Sequence, residues 1–173
     1  MKKILFVALF STFAGVLSLP CSAAEAPKLI GHYDDWSAFV YKEGKNNVCY
    51  MASTPKKDEG KYTRRGDIYV VVTHRPAEKS FDVVNFVAGY TFKSNADLVV
   101  KIGNQKFTRF FTDSDKAWTI NDADDKALVK AMARGERMIV DGVSNRGTQT
   151  KDTYSLKGFS RAYKAISGKC GKK

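Results

Sequence analysis

Beyond its first two dozen residues the chain alternates apolar and polar positions over short stretches, a period that predicts strands rather than helices. Asp35-Trp36-Ser37-Ala38-Phe39-Val40-Tyr41 alternates loosely and is rich in strand formers. Lys42 to Asn47, with Gly44 and an asparagine pair, reads as a turn, and Val48 to Ala52 as the returning strand. Cys49 is therefore expected inside a hairpin. Thr54 to Arg65 is polar and strongly charged, and reads as a loop. Ile68 to Thr73 is almost continuously apolar, as expected of a central strand covered on both faces. His74-Arg75-Pro76 ends it, because proline cannot donate to a ladder. Phe81 to Phe92 is a second long apolar stretch, and Gly89 near its end suits a bulge or close packing. Leu98, Val100 and Ile102 share one face, Gly103-Asn104 supplies a tight turn, and Lys106 to Thr112 runs back.

The helical period appears twice. Leu128, Ala131 and Met132 line one side of a helix that Asp122 or Asp124 can cap and that Gly135 can end in the left-handed region. Arg137 to Val143 returns to strand, Asn145-Arg146-Gly147 is a hairpin turn, and Thr153 to Leu156 is the closing strand. Phe159, Ala162, Tyr163 and Ile166 then follow the spacing of a short amphipathic helix, with Gly168 as its stop. Eight or nine short strands with one or two short helices predict an all-β sandwich or barrel.

The first residues change the picture of where the chain works. Lys2 and Lys3 precede an apolar run from Ile4 to Leu17, Pro20 breaks it, and Ser22-Ala23-Ala24 supplies the small residues of a cleavage site. Residues 1–24 thus read as a signal peptide and residues 25–173 as one domain, beginning with a short flexible lead-in to Leu29. A membrane anchor would need roughly 20 apolar residues, more than this run has, so no transmembrane segment is expected in the mature chain. Pro20 stands where a lipoprotein signal wants a small residue, so Cys21 is expected to leave with the signal. The remaining Cys49 and Cys170 enter an oxidising compartment and are expected to pair, a link that chain-entropy models value at about 4–5 kcal/mol.

Loss of Lys2 and Lys3 lowers the formal charge from +11 to +9. A basic exported protein is drawn to anionic surfaces such as lipopolysaccharide or host glycans, while export argues against nucleic acid as the partner. The cations offered for such contacts are Lys56, Lys57, Lys61, Arg64 and Arg65 in the charged loop, and Lys169, Lys172 and Lys173 in the tail. A Cys49–Cys170 bridge would hold the tail near the first hairpin and gather these charges. Tyr62 in the same loop is a candidate exposed anchor.

Catalytic patterns are weak. Ser144, His74 and Asp152 have the residue types of a triad, but no G-x-S-x-G elbow accompanies them. His74 reads better as a strand-end residue with a backbone partner. Asp122, Asp124 and Asp125 lack the glycine and terminal glutamate of an EF-hand loop and suit the first turn of a helix. No phosphate-binding glycine motif, C-x-x-C pair or zinc spacing is present, so no catalytic residue, metal or cofactor is expected.

Several short segments in a fixed order resemble a known family. They are Trp36 with Cys49 after it, Gly66-Asp67-Ile68-Tyr69 leading to Val72-Thr73-His74-Arg75-Pro76, and Gly89-Tyr90-Thr91-Phe92. Phe107, Ala117-Trp118, Leu128 to Gly135, and Ser144 to Phe159 with Cys170 complete the set. Together they are similar to the invasion-associated locus B proteins, exported proteins of alphaproteobacteria. The resemblance implies an immunoglobulin-like antiparallel β-sandwich of a secreted or envelope protein, with no enzyme activity, no cofactor and no established binding residues. Founding members are linked to pathogen entry into red blood cells, yet the family also occurs in bacteria that invade nothing. The expectation is a non-enzymatic exported protein, in the periplasm, outer envelope or medium, that contributes to host-cell association by binding. The rival expectation is a periplasmic accessory protein that supports the envelope or another envelope protein.

Overall fold

Short turns set the hairpins. Gly44 and Gly103 both adopt positive φ, +59° and +55°, which lets two-residue connections match the twist of the strands they join. The computed structural model of the chain describes residues 26–94, 96 and 98–172. The expected signal segment with Cys21, and Lys173 of the tail, lie outside the described residues.

Two antiparallel sheets make up the fold. The larger has seven strands in the order β1 (Lys28–Tyr33), β2 (Trp36–Glu43), β3 (Asn46–Ser53), β5 (Tyr69–Arg75), β6 (Ser80–Val87), β10 (Lys116–Thr119) and β9 (Phe110–Asp113). The smaller has five, ordered β4 (Lys57–Gly60), β12 (Gln149–Ser155), β11 (Arg137–Val143), β7 (Val99–Ile102) and β8 (Gln105–Phe107). Helix α1 (Asp122–Met132) packs on β6 and β10, and α2 (Phe159–Lys169) on β1, β2 and β3. The result is the immunoglobulin-like antiparallel sandwich that the resemblance implies, with both helices supplying core side chains.

The inward-facing positions of both sheets and both helices meet in one apolar cluster. Trp36, Met51, Tyr154, Phe159 and Leu128 are its largest fully buried members, each worth about 1.5–3 kcal/mol on burial by the usual area relation. Trp36 packs edge-on against Phe159 with centroids 4.9 Å apart, and its indole N–H donates to the Ser155 carbonyl at 3.1 Å. One side chain thereby joins β2, β12 and α2. A disulfide joins Cys49 of β3 to Cys170 just beyond α2, closing 121 residues of chain.

The fold departs from the alternation pattern at several points. β1 begins within the expected lead-in and pairs with β2, so the described chain starts as an edge strand. Part of the charged loop is strand β4, which pairs Lys57 to Gly60 with Thr153 to Thr150 of β12. Its charges are tolerated because an edge strand faces solvent, where charge also blocks edge-to-edge association. The stretch 106–112 is two strands in different sheets, β8 and β9, and Ser114 turns the chain back into β10. β5 is central, but only one face is fully covered: Val70, Val72 and His74 are buried, whereas Tyr69, Val71 and Thr73 are half-buried on the outer face.

Asn121, not Asp122 or Asp124, caps α1, accepting from the N–H groups of Ala123 and Asp124 at 3.0 Å. Asp125 is buried instead, and accepts from the Val84 N–H at 2.9 Å, tying α1 to β6. Gly135 is needed for space rather than for a left-handed turn: a Cβ there would lie 2.5 Å from Ile102. Gly168 does not stop α2, which runs on to Lys169. Gly89 does mark close packing, since its carbonyl accepts from the Gly66 N–H at 2.8 Å and a Cβ would strike Gly66.

Candidate functional site

β12 places Thr150, Asp152 and Tyr154 on its inward side, in phase with the core. An acid at such a position requires a partner, because a bare buried carboxylate costs several kcal/mol. The partner is Arg65, from the segment between β4 and β5. Its two terminal nitrogens donate to the two carboxylate oxygens of Asp152 at 2.7 and 2.6 Å, and its Nε donates to the Ala88 carbonyl at 2.7 Å. Both side chains are about 5% exposed or less. Burial pushes the Asp152 carboxyl up and the guanidinium pulls it back. The two-bond geometry holds the pair ionised, since arginine cannot give up its proton and carboxylate oxygens only accept. The Tyr62 and Tyr90 rings flank the guanidinium at 5.5 and 5.0 Å, and the Tyr90 hydroxyl shares a 2.7 Å hydrogen bond with Thr150.

Arg65 of this neutralised pair borders a groove of about 620 Å³. One wall is the segment Lys61 to Arg65, another is Gly89 to Thr91, and the third is the β11–β12 turn with Ser144, Asn145 and Arg146. Lys61, Arg64 and Arg146 are exposed on it, and among the described residues none of the three has an ion-pair partner. No acidic residue and no aliphatic side chain lines the groove. Three neighbouring depressions differ, carrying Glu59 and Asp141, Asp67 and Asp115, or Asp113.

The cations named from the sequence therefore divide. Lys61 and Arg64 reach the groove. Arg65 is spent on Asp152, Lys56 pairs with Asp35, and Lys57 lies 2.9 Å from Glu59. No tail residue lines the groove, and Lys172 instead binds Asp82 of β6. Lys169 is exposed. Tyr62 is no free anchor: its hydroxyl donates to Asp58 at 2.6 Å while its ring covers Arg65. Arg146 is the groove cation that sequence reading missed. Its only signal was a basic residue at the tip of a hairpin turn, which has no preferred use until the fold sets its neighbours.

Ser144, His74 and Asp152 do not form a catalytic unit. His74 is fully buried, and its neighbours are Asp82, Ser167 and Phe81. Ser167, His74 and Asp82 repeat the residue types of a triad, with Ser167 Oγ 3.1 Å from Nε2. The proton is on the wrong nitrogen, however. The Asp82 backbone N–H donates to His74 Nδ1 at 3.1 Å, so Nδ1 accepts and the neutral ring carries its proton on Nε2. A triad base needs the reverse. The Asp82 carboxylate is 4.0 Å from the ring and is occupied by the Tyr163 hydroxyl at 2.6 Å and by Lys172. Burial holds the His74 ring below its ordinary protonation range. This cluster is a structural clamp on the C-terminal tail.

The fold is a two-sheet antiparallel β-sandwich that known proteins share. A family model described as "Invasion associated locus B (IalB) protein" matches residues 36–167, and the chain belongs to that family. Among solved structures, the crystal structure of invasion associated protein B from Bartonella henselae aligns with 85% of this chain and 96% of its own, at a TM-score of 0.53 and 15% identity. At that identity the likeness speaks to the fold alone. No curated protein matches the sequence. Among the described residues, no helix is long and apolar enough to cross a membrane.

Proposed function

We propose that this protein is a non-enzymatic, exported envelope or secreted protein that contributes to host-cell association by binding an anionic surface ligand. The observation that carries this reading is the groove bordered by Lys61, Arg64 and Arg146, cations that among the described residues have no ion-pair partner and share a lining free of acids. Here the cations are gathered in a concavity, and a concave site of one sign concentrates counter-charged ligands. Family membership supports the same reading, as does an N-terminal segment with the pattern of a signal peptide.

The test is an in-frame deletion complemented with the wild type or with a Lys61→Ala, Arg64→Ala, Arg146→Ala variant, scored for host-cell association and for sensitivity to envelope stress. The wild type restores association and the triple variant does not. Restoration of association by the triple variant refutes the groove's role. Normal association with a weakened envelope in the deletion strain makes the protein a periplasmic accessory factor instead.

A further inference from the structure

The lining of the groove says more about its ligand than its charge does. Lipid-facing and peptide-binding clefts present aliphatic side chains to the apolar part of their ligand. This one presents none. Between the cations lie the hydroxyls of Thr63, Thr91 and Thr148 and the amide of Asn145, while the buried hydroxyls of Ser144 and Thr150 are taken up by the Thr148 N–H and the Tyr90 hydroxyl. Such a surface satisfies a ligand that is hydroxylated along its length as well as charged. Its apolar part is the rings of Tyr62 and Tyr90, flat faces that suit a sugar ring better than an acyl chain.

The cations are also distributed. Lys61 and Arg64 stand on the segment after β4, and Arg146 stands on the turn between β11 and β12, a separate segment of the groove's lining. A single small anion is held by convergence on one point, whereas charges presented from separate walls suit a ligand with several anionic groups along a chain. Two of the three are arginines, whose planar forks match sulfate, phosphate and carboxylate oxygens bidentately. The walls that carry them are fixed from below. Arg65 locks its segment to β12 through Asp152, the Ser144 N–H bonds to the Thr148 carbonyl at 2.9 Å, and the Asn145 N–H bonds to the Thr91 carbonyl at 2.8 Å. The groove is thus held by backbone and buried side chains before any ligand arrives, which lowers the ordering cost of binding.

We infer that the groove takes an acidic glycan, a saccharide chain bearing sulfate or phosphate groups, in preference to a lipid head group or an acidic peptide. This rests on the anionic-ligand reading given above. The same chemistry occurs in sulfated host glycans and in the phosphorylated core of lipopolysaccharide, so the probes must separate them.

The experiment measures binding of the purified, disulfide-intact protein to four probes: a heparin-derived oligosaccharide, its desulfated counterpart, a deacylated lipopolysaccharide core oligosaccharide, and phosphatidylglycerol vesicles. The same set is run with Arg64→Ala and Arg146→Ala, singly and together, after thermal melts show an unchanged Tm. One of the two charged saccharides binds, and the one that binds more tightly identifies the source. Each arginine substitution weakens it about tenfold, the usual worth of a charge-assisted hydrogen bond, and affinity falls steeply with salt. Desulfation abolishes heparin binding. If the vesicles bind through both arginines and neither saccharide competes, the glycan assignment is overturned while the anionic-ligand reading stands. If no probe binds, or the double variant binds as the wild type does, both fall.

Discussion

The groove and the C-terminal clamp are built from the same residue types, and the comparison between them shows what decides the use of a cation. At the clamp, Lys172 and the Tyr163 hydroxyl converge on Asp82, which β6 presents inward at 3% exposure. At the groove floor, Arg65 does the same for Asp152. Each buried acid consumes one cation. Lys61, Arg64 and Arg146 lie near no such acid and keep their charge for solvent or ligand. A basic residue is structural where the fold delivers a buried carboxylate to it, and available where it does not.

The largest effect that tests this comparison comes from breaking the floor. Arg65→Met strands the Asp152 carboxylate, and truncating one partner of a buried pair costs about 3–5 kcal/mol. Chemical denaturation then shows a much lower midpoint or no folded protein at all. Loss of less than about 1 kcal/mol would mean that Asp152 finds water or protonates at little cost. The double variant Arg65→Met, Asp152→Leu recovers much of the loss, since it leaves no charge unpaired.

Removing the covalent half of the clamp comes next. Cys49→Ser with Cys170→Ser frees 121 residues of closed chain and lowers stability by about 2–5 kcal/mol, read as a fall in Tm of many degrees. Lys172→Met, which breaks only its polar half, costs about 1–3 kcal/mol because Asp82 keeps its Tyr163 partner. If the polar substitution matched the disulfide deletion, the clamp would be electrostatic before it is covalent.

The clamp also titrates, and the sign follows from His74. Burial lowers its pKa in the folded chain, so below about pH 6.5 the unfolded chain takes up a proton that the native ring refuses. Stability is therefore full above that pH and declines as pH falls below it, by at most about 1.4 kcal/mol per unit for this one group. Nearer pH 4, Asp125 acts the other way, because burial raises its carboxyl and the folded chain protonates first. Melts between pH 8 and pH 5.5 show a decline for the wild type that His74→Gln flattens. A wild-type Tm that stays level across that range contradicts the buried neutral ring.

The smallest effect on stability belongs to the groove. Arg146→Ala changes stability by less than about 0.5 kcal/mol, as expected of an exposed side chain with no ion-pair partner among the described residues, while anion binding falls. A large loss of stability would show that Arg146 is structural after all and would erase the contrast with Arg65.

Local order did much of the work that was legible in the chain. Gly103-Asn104 and Asn145-Arg146-Gly147 announced their hairpins because turn geometry is set by two or three residues. The α2 stripe of Phe159, Ala162 and Ile166 was equally plain, and all three are buried. The single pair of cysteines left after the expected cleavage permitted one pairing, which the structure contains. Two of the three groove cations could be named, since Lys61 and Arg64 sit in a segment whose charge density stands out. Arg65, their immediate neighbour, could not be told from them. One clue was present: Asp152 falls in the same alternating register as Thr150 and Tyr154, and an acid in an inward register needs a cation.

Composition, alternation and turn residues by themselves determined the β class, most hairpins and the disulfide, because each depends on contacts within a few residues or on a choice with one solution. The tertiary structure alone decided that β8 and β9 separate into different sheets, that Asp82 and Asp152 each claim a cation from a distant segment, and that Arg146 lines one groove with Lys61 and Arg64. The last two of those outcomes depend on pairs 80 or more residues apart, such as the 87 that separate Arg65 from Asp152. A charge reads the same along the chain wherever it stands, and only the energy of desolvating it beside one partner or another gives it a role.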